Sequence, residues 1–209
     1  MHAEEFELLL KVIIVGESGV GKTQLLHRYV DGTFDESIKN TVGVDIKNSA
    51  HNFEGGIAKI HFYDTAGQER FRAVTRSNFQ NSDVAIIVYD VTNRLSFERV
   101  DIWVELVKEN CEPDTQLLLI GNKIDCPSER SVSHQEGAEY AEKQKTFFYE
   151  ASAKTNESNS VNIAFDTVID KAIKQAADRQ AEIHMKELEL IKSKAITIQK
   201  ISLEKKGCC

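Results

Sequence analysis

A glycine-rich string between two apolar segments constrains the fold of this chain more than any other feature. Residues 16–23 match the phosphate-binding pattern G-x-x-x-x-G-K-T, after an apolar run at 8–15 and before a helix-forming run at 24–30. The glycines permit a tight turn that brings backbone N–H groups to phosphate oxygens. Lys22 adds charge for the outer phosphates, and the Thr23 hydroxyl suits Mg²⁺. The string therefore predicts a strand, a phosphate-binding loop and a helix in succession.

Two further strings select the base that accompanies the phosphates. Residues 121–125 carry the pattern N-K-x-D after the apolar run 117–120, and Ser-Ala-Lys at 152–154 follows the predicted strand 146–151. Ligands of open parallel sheets bind at such strand ends. The Asp125 carboxylate can accept from the ring N–H and the exocyclic amine of guanine, whereas facing adenine it would stay unpaired. A guanine nucleotide is therefore expected, with 152–154 framing the base from the other side.

The chemistry of hydrolysis is expected from residues 64–69, Asp-Thr-Ala-Gly-Gln-Glu, which follow the predicted strand 58–63. Asp64 at a strand end can reach Mg²⁺ through water. Gly67 can offer a backbone N–H to a γ-phosphate, and Gln68 can orient an attacking water.

Strand and helix patterns alternate along the chain, which indicates a mostly parallel sheet covered on both faces. Strands are predicted at 6–15, 44–53, 57–64, 84–88, 117–120 and 146–151, and helices at 21–31, at 95–110, after a Ser133–Glu136 capping box, and from 158 onward. The buried faces of two helices are predicted to be Phe97, Val100, Val104 and Val107, and Ile163, Phe165, Val168 and Ile169. Trp103 lies one residue off the first row and is interpreted as a packing residue at its edge.

Composition excludes several other classes. The net charge of −7, from 26 basic and 33 acidic residues, does not fit a nucleic-acid binder. The four cysteines show no metal-ligand spacing, so a reducing environment is expected, with Cys111 and Cys126 as inert thiols. Neither a secretory leader nor a membrane-spanning run is expected from the hydropathy.

Taken together, these strings resemble the Rab branch of the Ras-superfamily small GTPases. The resemblance extends from about residue 8 to residue 174 and includes the terminal pair Cys208-Cys209. The strings that support it are those at 16–23, 41–45, 64–71, 89–93 with 96–97, and 208–209. The resemblance implies an α/β P-loop GTPase fold with a six-stranded, mostly parallel sheet flanked by helices. It also implies a GTPase domain at 1–177 and a hypervariable tail at 178–209.

The resemblance assigns roles to individual residues. It implies that Gln68 is the hydrolytic glutamine and that Phe34 packs edge-on against guanine. The expected nucleotide-contacting residues are Ser18, Gly19, Val20, Gly21, Lys22, Thr23, Gln24, Phe34, Thr41, Gly67, Asn122, Lys123, Asp125, Ser152, Ala153 and Lys154, and the expected Mg²⁺ ligands are Thr23, Thr41 and Asp64.

The function implied is a switch that binds GTP or GDP with Mg²⁺, hydrolyses GTP slowly without an activating protein, and regulates vesicle-mediated trafficking. Expected partners are a GTPase-activating protein, an exchange factor, effectors that contact the two switches, and a prenyl-protein carrier. Geranylgeranyl groups on Cys208 and Cys209 would anchor the chain to the cytoplasmic face of an intracellular membrane, from which it cycles to the cytosol. A monomer that binds no nucleic acid is expected.

Two rival functions and one structural question stay open at this stage. A Ras- or Rho-like signalling GTPase is disfavoured by the terminal Cys-Cys, and a nucleotide-bound scaffold with little turnover is disfavoured by Gln68. Residues 178–206 are either a flexible linker or an extended helix, because a helical seam coexists with a run rich in β-branched residues.

The chain departs from the Rab pattern at Tyr63, at Ile46 and at 78–80, positions expected to form an effector-facing aromatic patch. The loop 155–160 is also longer than is typical.

Overall fold

A computed structural model of the chain describes residues 6–37, 43–65 and 79–206. Its strands are β1 (Phe6–Val15), β2 (Val44–Phe53), β3 (Gly56–Thr65), β4 (Val84–Asp90), β5 (Gln116–Asn122) and β6 (Phe147–Ala151). Its α-helices are α1 (Lys22–Asp31), α2 (Arg94–Glu98), α3 (Val100–Asn110), α4 (His134–Gln144) and α5 (Ser160–Lys206).

The six strands form one sheet in the order β2-β3-β1-β4-β5-β6. Only the β2–β3 hairpin is antiparallel, and every other neighbouring pair is parallel. All seven residues of β4 are buried, as expected for a central parallel strand that is covered on both faces. The predicted fold class, a six-stranded and mostly parallel sheet flanked by helices, is confirmed.

The prediction of one continuous helix at 95–110 is wrong at Arg99. The structure has two helices, α2 and α3, separated at Arg99, whose dihedral angles are φ −89° and ψ 0°. The Ile102 N–H donates to the Arg99 carbonyl at 3.1 Å, an i→i+3 contact that tightens the turn between them. The apolar periodicity is unaffected, because Val100, Val104 and Val107 are all buried.

The predicted buried face of the last helix is wrong at one position. Phe165, Val168 and Ile169 are fully buried, but Ile163 is 47% exposed. The buried row begins instead at Val161, one turn before Phe165, so Ile163 falls on the opposite side of the helix.

The capping box that opens α4 is confirmed. The Glu136 N–H donates to the Ser133 hydroxyl at 3.3 Å, and the Ser133 N–H donates to the Glu136 carboxylate at 2.9 Å. Arg94 also pairs with Glu136. Hydrogen bonding from Arg94, followed by the two bonds from Ser133, lowers the pKa of Glu136 to about 2.

The chain divides into two compact units, Met1–Ile173 and Lys174–Cys209. The backbone of the second unit is helical as far as Lys206, which is the helical alternative for this segment. The division into a domain at 1–177 and a tail at 178–209 stays a prediction. Within the described part of the chain, no helix combines the length and the apolar character that crossing a membrane requires.

The Tyr89 side chain of β4 places a hydroxyl in the core, and its contribution to stability can be tested. The Tyr89 hydroxyl is buried and has no hydrogen-bond partner among the described residues. Because a buried hydroxyl without a partner opposes folding, we expect Tyr89→Phe to leave the free energy of unfolding unchanged or to raise it by up to about 1 kcal/mol. Urea denaturation measures this change.

Tyr140→Phe is the matched control, since the Tyr140 hydroxyl donates to Asp101 at 2.6 Å. That substitution should lower stability by roughly 0.5–1.5 kcal/mol. A larger loss for Tyr89→Phe than for Tyr140→Phe would show that the Tyr89 hydroxyl does have a partner.

Candidate functional site

The loop between β1 and α1 passes close to two other strands, and glycine is required at both approaches. A Cβ built on Gly16 would lie 2.2 Å from the Val88 carbonyl oxygen, and one on Gly21 would lie 2.3 Å from Nδ2 of Asn122. Both glycines also have positive φ, +142° and +94°. No other residue type fits either position without displacing the backbone of β4 or the side chain at the end of β5.

The Lys22 side chain lies inside this loop. It is only 5% exposed, and its Nζ donates to the carbonyl oxygens of Gly16 at 3.0 Å and Glu17 at 2.9 Å. Burial lowers the pKa of Lys22 to about 8, although the nearby Asp64 and Glu17 carboxylates act in the opposite direction. The loop therefore concentrates positive charge next to the backbone N–H groups at the start of α1.

A hydroxyl and a carboxylate meet beside the loop. Thr23, in the first turn of α1, donates to Oδ2 of Asp64, which is fully buried at the end of β3. Thr65 adds a contact between β3 and β1, since its hydroxyl donates to the Ile14 carbonyl at 2.8 Å. Oxygen ligands of this kind are those that Mg²⁺ prefers.

Asn122 links the loop to the other half of the site. It lies at the end of β5 and is 2% exposed. Its Nδ2 donates to the Val20 carbonyl at 2.8 Å, and its Oδ1 accepts from the Ala153 N–H at 3.2 Å. One buried amide thus joins the phosphate-binding pattern to the Ser-Ala-Lys string.

The Asp125 carboxylate is oriented by Ser152. The Ser152 hydroxyl donates to Oδ1 of Asp125 at 2.5 Å and accepts from the N–H groups of Lys154 and Thr155, each at 3.1 Å. The same hydroxyl therefore fixes both the carboxylate and the turn that follows β6. This arrangement leaves an acidic group held in one direction at the sheet edge.

The remaining member of the N-K-x-D pattern is held by an ion pair. Lys123 has a left-handed backbone with φ +69°, and its Nζ lies 2.7 Å from Oδ2 of Asp90 at the end of β4. The other oxygen of Asp90 accepts from the N–H and the hydroxyl of Thr92, at 2.9 and 2.7 Å.

Comparison with known proteins agrees with this geometry. The profile of the Ras family matches residues 11–174. The chain is 38% identical to the "Ras-related protein RabC" of Dictyostelium discoideum, over 98% of this chain and 100% of that protein. It is 43% identical to the "Ras-related protein Rab-18" of Caenorhabditis elegans, over 78% of this chain and 80% of that protein. It is 33% identical to the "Ras-related protein RABA1g" of Arabidopsis thaliana, over 99% and 96%.

The chain belongs to the Ras family, in its Rab branch. It is a small GTPase that binds guanine nucleotide, hydrolyses GTP to GDP, and acts in vesicle-mediated trafficking. Regulators and effectors are its general kinds of partner. The Rab branch is thereby favoured over the Ras- or Rho-like alternative, and turnover over the scaffold alternative.

In this Rab-branch GTPase, Gln24 holds a neighbouring loop. Its side-chain Nε2 donates to the Asp35 carbonyl at 2.6 Å, and its Oε1 accepts from the Asp35 N–H at 3.2 Å. Phe34, the residue expected against the guanine, is half-buried in the same loop. Gln24 is predicted from the sequence as a nucleotide contact, whereas its two hydrogen bonds to Asp35 are not.

Arg28 is a residue beside the candidate site that the sequence patterns did not predict. Its guanidinium donates to the carbonyl oxygens of Ala153 at 2.8 Å, Lys154 at 2.9 Å and Gly32 at 2.8 Å. Lys154 also pairs with Glu36 at 2.8 Å. The turn after β6 is therefore tied to both ends of the loop that carries Phe34. No sequence pattern indicates this contact, because an arginine on a helix is usually solvated.

Five of the predicted functional residues lie outside the described part of the chain. They are Thr41, Gly67, Gln68, Cys208 and Cys209. The other predicted residues of the candidate site lie in the β1–α1 loop, in the first turn of α1, at the end of β3, in the 33–37 loop, at and just after the end of β5, and in the turn after β6.

The predicted effector-facing patch is wrong at one position. Ile46 is 52% exposed, and Tyr63, its partner in the β2–β3 register, is half-buried under Lys11, whose Nζ lies 4.8 Å from the ring centroid. Phe79, in contrast, is 2% exposed and belongs to the core. A Rab-branch surface built on Ile46 and Tyr63 therefore lacks this aromatic residue.

We expect Asn122→Ala to disconnect the two halves of the site. The substitution leaves the Val20 carbonyl and the Ala153 N–H without their buried partner, which should lower the free energy of unfolding by about 2 kcal/mol. Urea denaturation of the GDP-loaded protein gives the change. Amide hydrogen exchange should show faster exchange at Ala153.

Asn52→Ala is the matched control, since Asn52 is exposed on β2 and should change stability by no more than about 0.5 kcal/mol. Unchanged protection of the Ala153 amide in Asn122→Ala would contradict the bridging role.

Proposed function

We propose that this Rab-branch GTPase is a Mg²⁺-dependent switch whose guanine and phosphate sites are connected through Asn122. The observation that carries the proposal is the pair of hydrogen bonds from this one buried side chain to Val20 and Ala153. Because the amide spans both motifs, a change at the phosphates is transmitted to the base site. The proposal rests on this connection rather than on any one motif.

The residues beside the loop fit a magnesium ion. Thr23 and Asp64 bring a hydroxyl and a buried carboxylate into direct contact, and these are hard oxygen ligands. We propose that both hold Mg²⁺ together with Thr41, Asp64 acting through water. When bound, the ion neutralises charge that develops on the transferred phosphoryl group.

The phosphate contacts are proposed for Ser18, Gly19, Val20, Gly21 and Lys22. Backbone N–H groups of the loop and the Lys22 ammonium stabilise the negative phosphates.

Hydrolysis is proposed to depend on Gln68, which orients the attacking water, and on Gly67, which contacts the γ-phosphate through its N–H. We assign no arginine of this chain to the reaction, so an activating protein that supplies one should accelerate turnover about 10³–10⁵-fold.

The base is proposed to bind between the N-K-x-D residues and the turn after β6. Asp125 accepts two hydrogen bonds from guanine, and its direction is fixed by Ser152 at 2.5 Å. Asn122, Lys123, Ala153 and Lys154 complete this side of the site, and Phe34 contacts the edge of the base. The Ser152 contact supports selectivity, because a carboxylate that cannot turn away from adenine stays unpaired beside it.

Asp125→Asn should change the base specificity of the site from guanine to xanthine. The new amide can donate to the 2-oxygen of xanthine but repels the donors of guanine, so GTP affinity should fall by at least about 100-fold. Xanthosine triphosphate should become the preferred ligand. Competition against a fluorescent GDP analogue measures both affinities.

Glu129→Gln, which removes an exposed charge from the short helix Pro127–Glu129 nearby, should leave both affinities within about twofold. If Asp125→Asn kept its preference for GTP, the proposed base contact would be wrong.

The membrane part of the function is proposed for Cys208 and Cys209. Rab-branch membership and the adjacent cysteines support geranylgeranylation of both, which would anchor the chain at the cytoplasmic face of an intracellular membrane. Each buried CH₂ of a lipid adds about 0.8 kcal/mol, so that two chains anchor stably where one binds marginally. A prenyl-protein carrier would return the protein, as a monomer, to the cytosol. We also propose that 1–177 forms the GTPase domain and 178–209 the tail.

Replacing Cys208 and Cys209 together by Ser should move the protein from membranes to the cytosol without loss of nucleotide binding, because neither thiol belongs to the nucleotide site. A single replacement should give weaker, reversible binding. Cell fractionation and the intact mass of the protein from its native cells check both expectations. An unmodified intact mass for the wild type would contradict the anchor.

A further inference from the structure

A carboxylate lies inside the phosphate-binding loop, and two residues from the α2–α3 segment hold it. The Arg99 Nη1 donates to Oε2 of Glu17 at 2.9 Å, and the Trp103 Nε1 donates to Oε1 at 3.2 Å. Each carboxylate oxygen therefore receives one donor. Both donors are more than eighty positions away along the chain, and neither belongs to a nucleotide-binding motif.

The negative charge of Glu17 is unfavourable in a loop that binds phosphate. The loop collects N–H groups and an ammonium for phosphates, and a carboxylate beside them repels the same phosphates. The Glu17 side chain is only 18% exposed, so water screens its charge incompletely. Its backbone carbonyl also accepts from Lys22 at 2.9 Å, so movement of this residue would displace the phosphate-binding lysine.

The start of α3 places both donors on one side. Arg99 forms the turn between the two helices, and Trp103 follows four positions later, so the two side chains lie on the same helical face. Trp103 is 3% exposed and packs in the core, which fixes its N–H direction. The packing role predicted for Trp103 is thus correct but incomplete.

We infer that Arg99 and Trp103 are positioning residues of the nucleotide site. Arg99 neutralises the Glu17 carboxylate and Trp103 fixes its direction, so that a loop carrying an acidic residue still binds phosphate. The inference rests on the proposed role of the loop in binding nucleotide. It assigns the α2–α3 turn a part in nucleotide retention.

The test compares release of a fluorescent GDP analogue from four full-length proteins: the wild type, Arg99→Ala, the double variant Glu17→Gln with Arg99→Ala, and Arg94→Ala as the control. Arg94 lies on α2 and pairs with Glu98 and Glu136 rather than with the loop. Arg99→Ala should release GDP about tenfold faster, which corresponds to about 1.4 kcal/mol. Arg94→Ala should match the wild type.

The double variant separates electrostatics from structure. If Arg99 acts by neutralising Glu17, removal of that charge should restore release to within about threefold of the wild type, or about 0.7 kcal/mol. If Arg99 only supports the α2–α3 turn, the double variant will release GDP as fast as Arg99→Ala, and the inference is overturned. GDP release from Arg99→Lys, which keeps the charge, should be slower than GDP release from Arg99→Ala.

Trp103 is the only tryptophan in the sequence, so its emission reports the same contact directly. Glu17→Gln removes the charge that faces the indole N–H and should shift the emission maximum, whereas Arg94→Ala should not. Identical emission for Glu17→Gln and the wild type would overturn the role of Trp103. A wild type that fails to retain GDP would overturn the proposed function itself, whereas a wild type that retains GDP with no effect of Arg99→Ala overturns only this inference.

Discussion

The buried amide of Asn122 is the contact on which the rest of the site depends. It satisfies a donor and an acceptor in two different loops while it is nearly removed from water. Removal of this amide should lower the free energy of unfolding, because the Val20 carbonyl and the Ala153 N–H would then be buried without partners. The same side chain explains Gly21, whose missing Cβ leaves the space that Nδ2 occupies. The spacing of the phosphate loop is thus linked to the N-K-x-D motif.

Parallel strands make this contact possible. β1, β3 and β5 run in the same direction, so their carboxyl ends deliver the phosphate loop, Asp64 and Asn122 to one edge of the sheet. Side chains then tie the separate loops together: Arg28 and Gln24 fasten the segment that carries Phe34, and Arg99 restrains the phosphate loop. Retention of nucleotide is therefore expected to depend on residues that do not themselves contact it.

Much of this arrangement could be predicted from the sequence. β1 follows from an apolar run, and the α4 cap follows from Ser133 and Glu136 because its hydrogen bonds are local. The meeting of the motifs at one edge of the sheet was predictable because each motif follows a predicted strand. Long-range contacts were not, because Arg28 and Arg99 look like ordinary surface arginines until the fold brings carbonyl and carboxylate oxygens to them.

Two errors have a common physical cause. Ile163 was predicted to be buried because a repeat of three and four residues fits more than one helix phase. The 95–110 segment was predicted to be continuous because the same repeat carries no information about a tight turn such as that at Arg99. The other residues predicted for these two helical faces are buried, except Phe97, which is half-buried. Periodicity therefore locates a helix more reliably than it locates its phase or its interruptions.

The connected strand ends are expected to form a guanine-specific phosphate site. Equilibrium displacement of a fluorescent GDP analogue from the full-length protein by GTP and by ATP tests it most directly. The oriented Asp125 carboxylate predicts that GTP competes at least about 10³-fold more effectively than ATP, because adenine offers no pair of donors to that carboxylate. Equal competition by ATP and GTP would contradict the account.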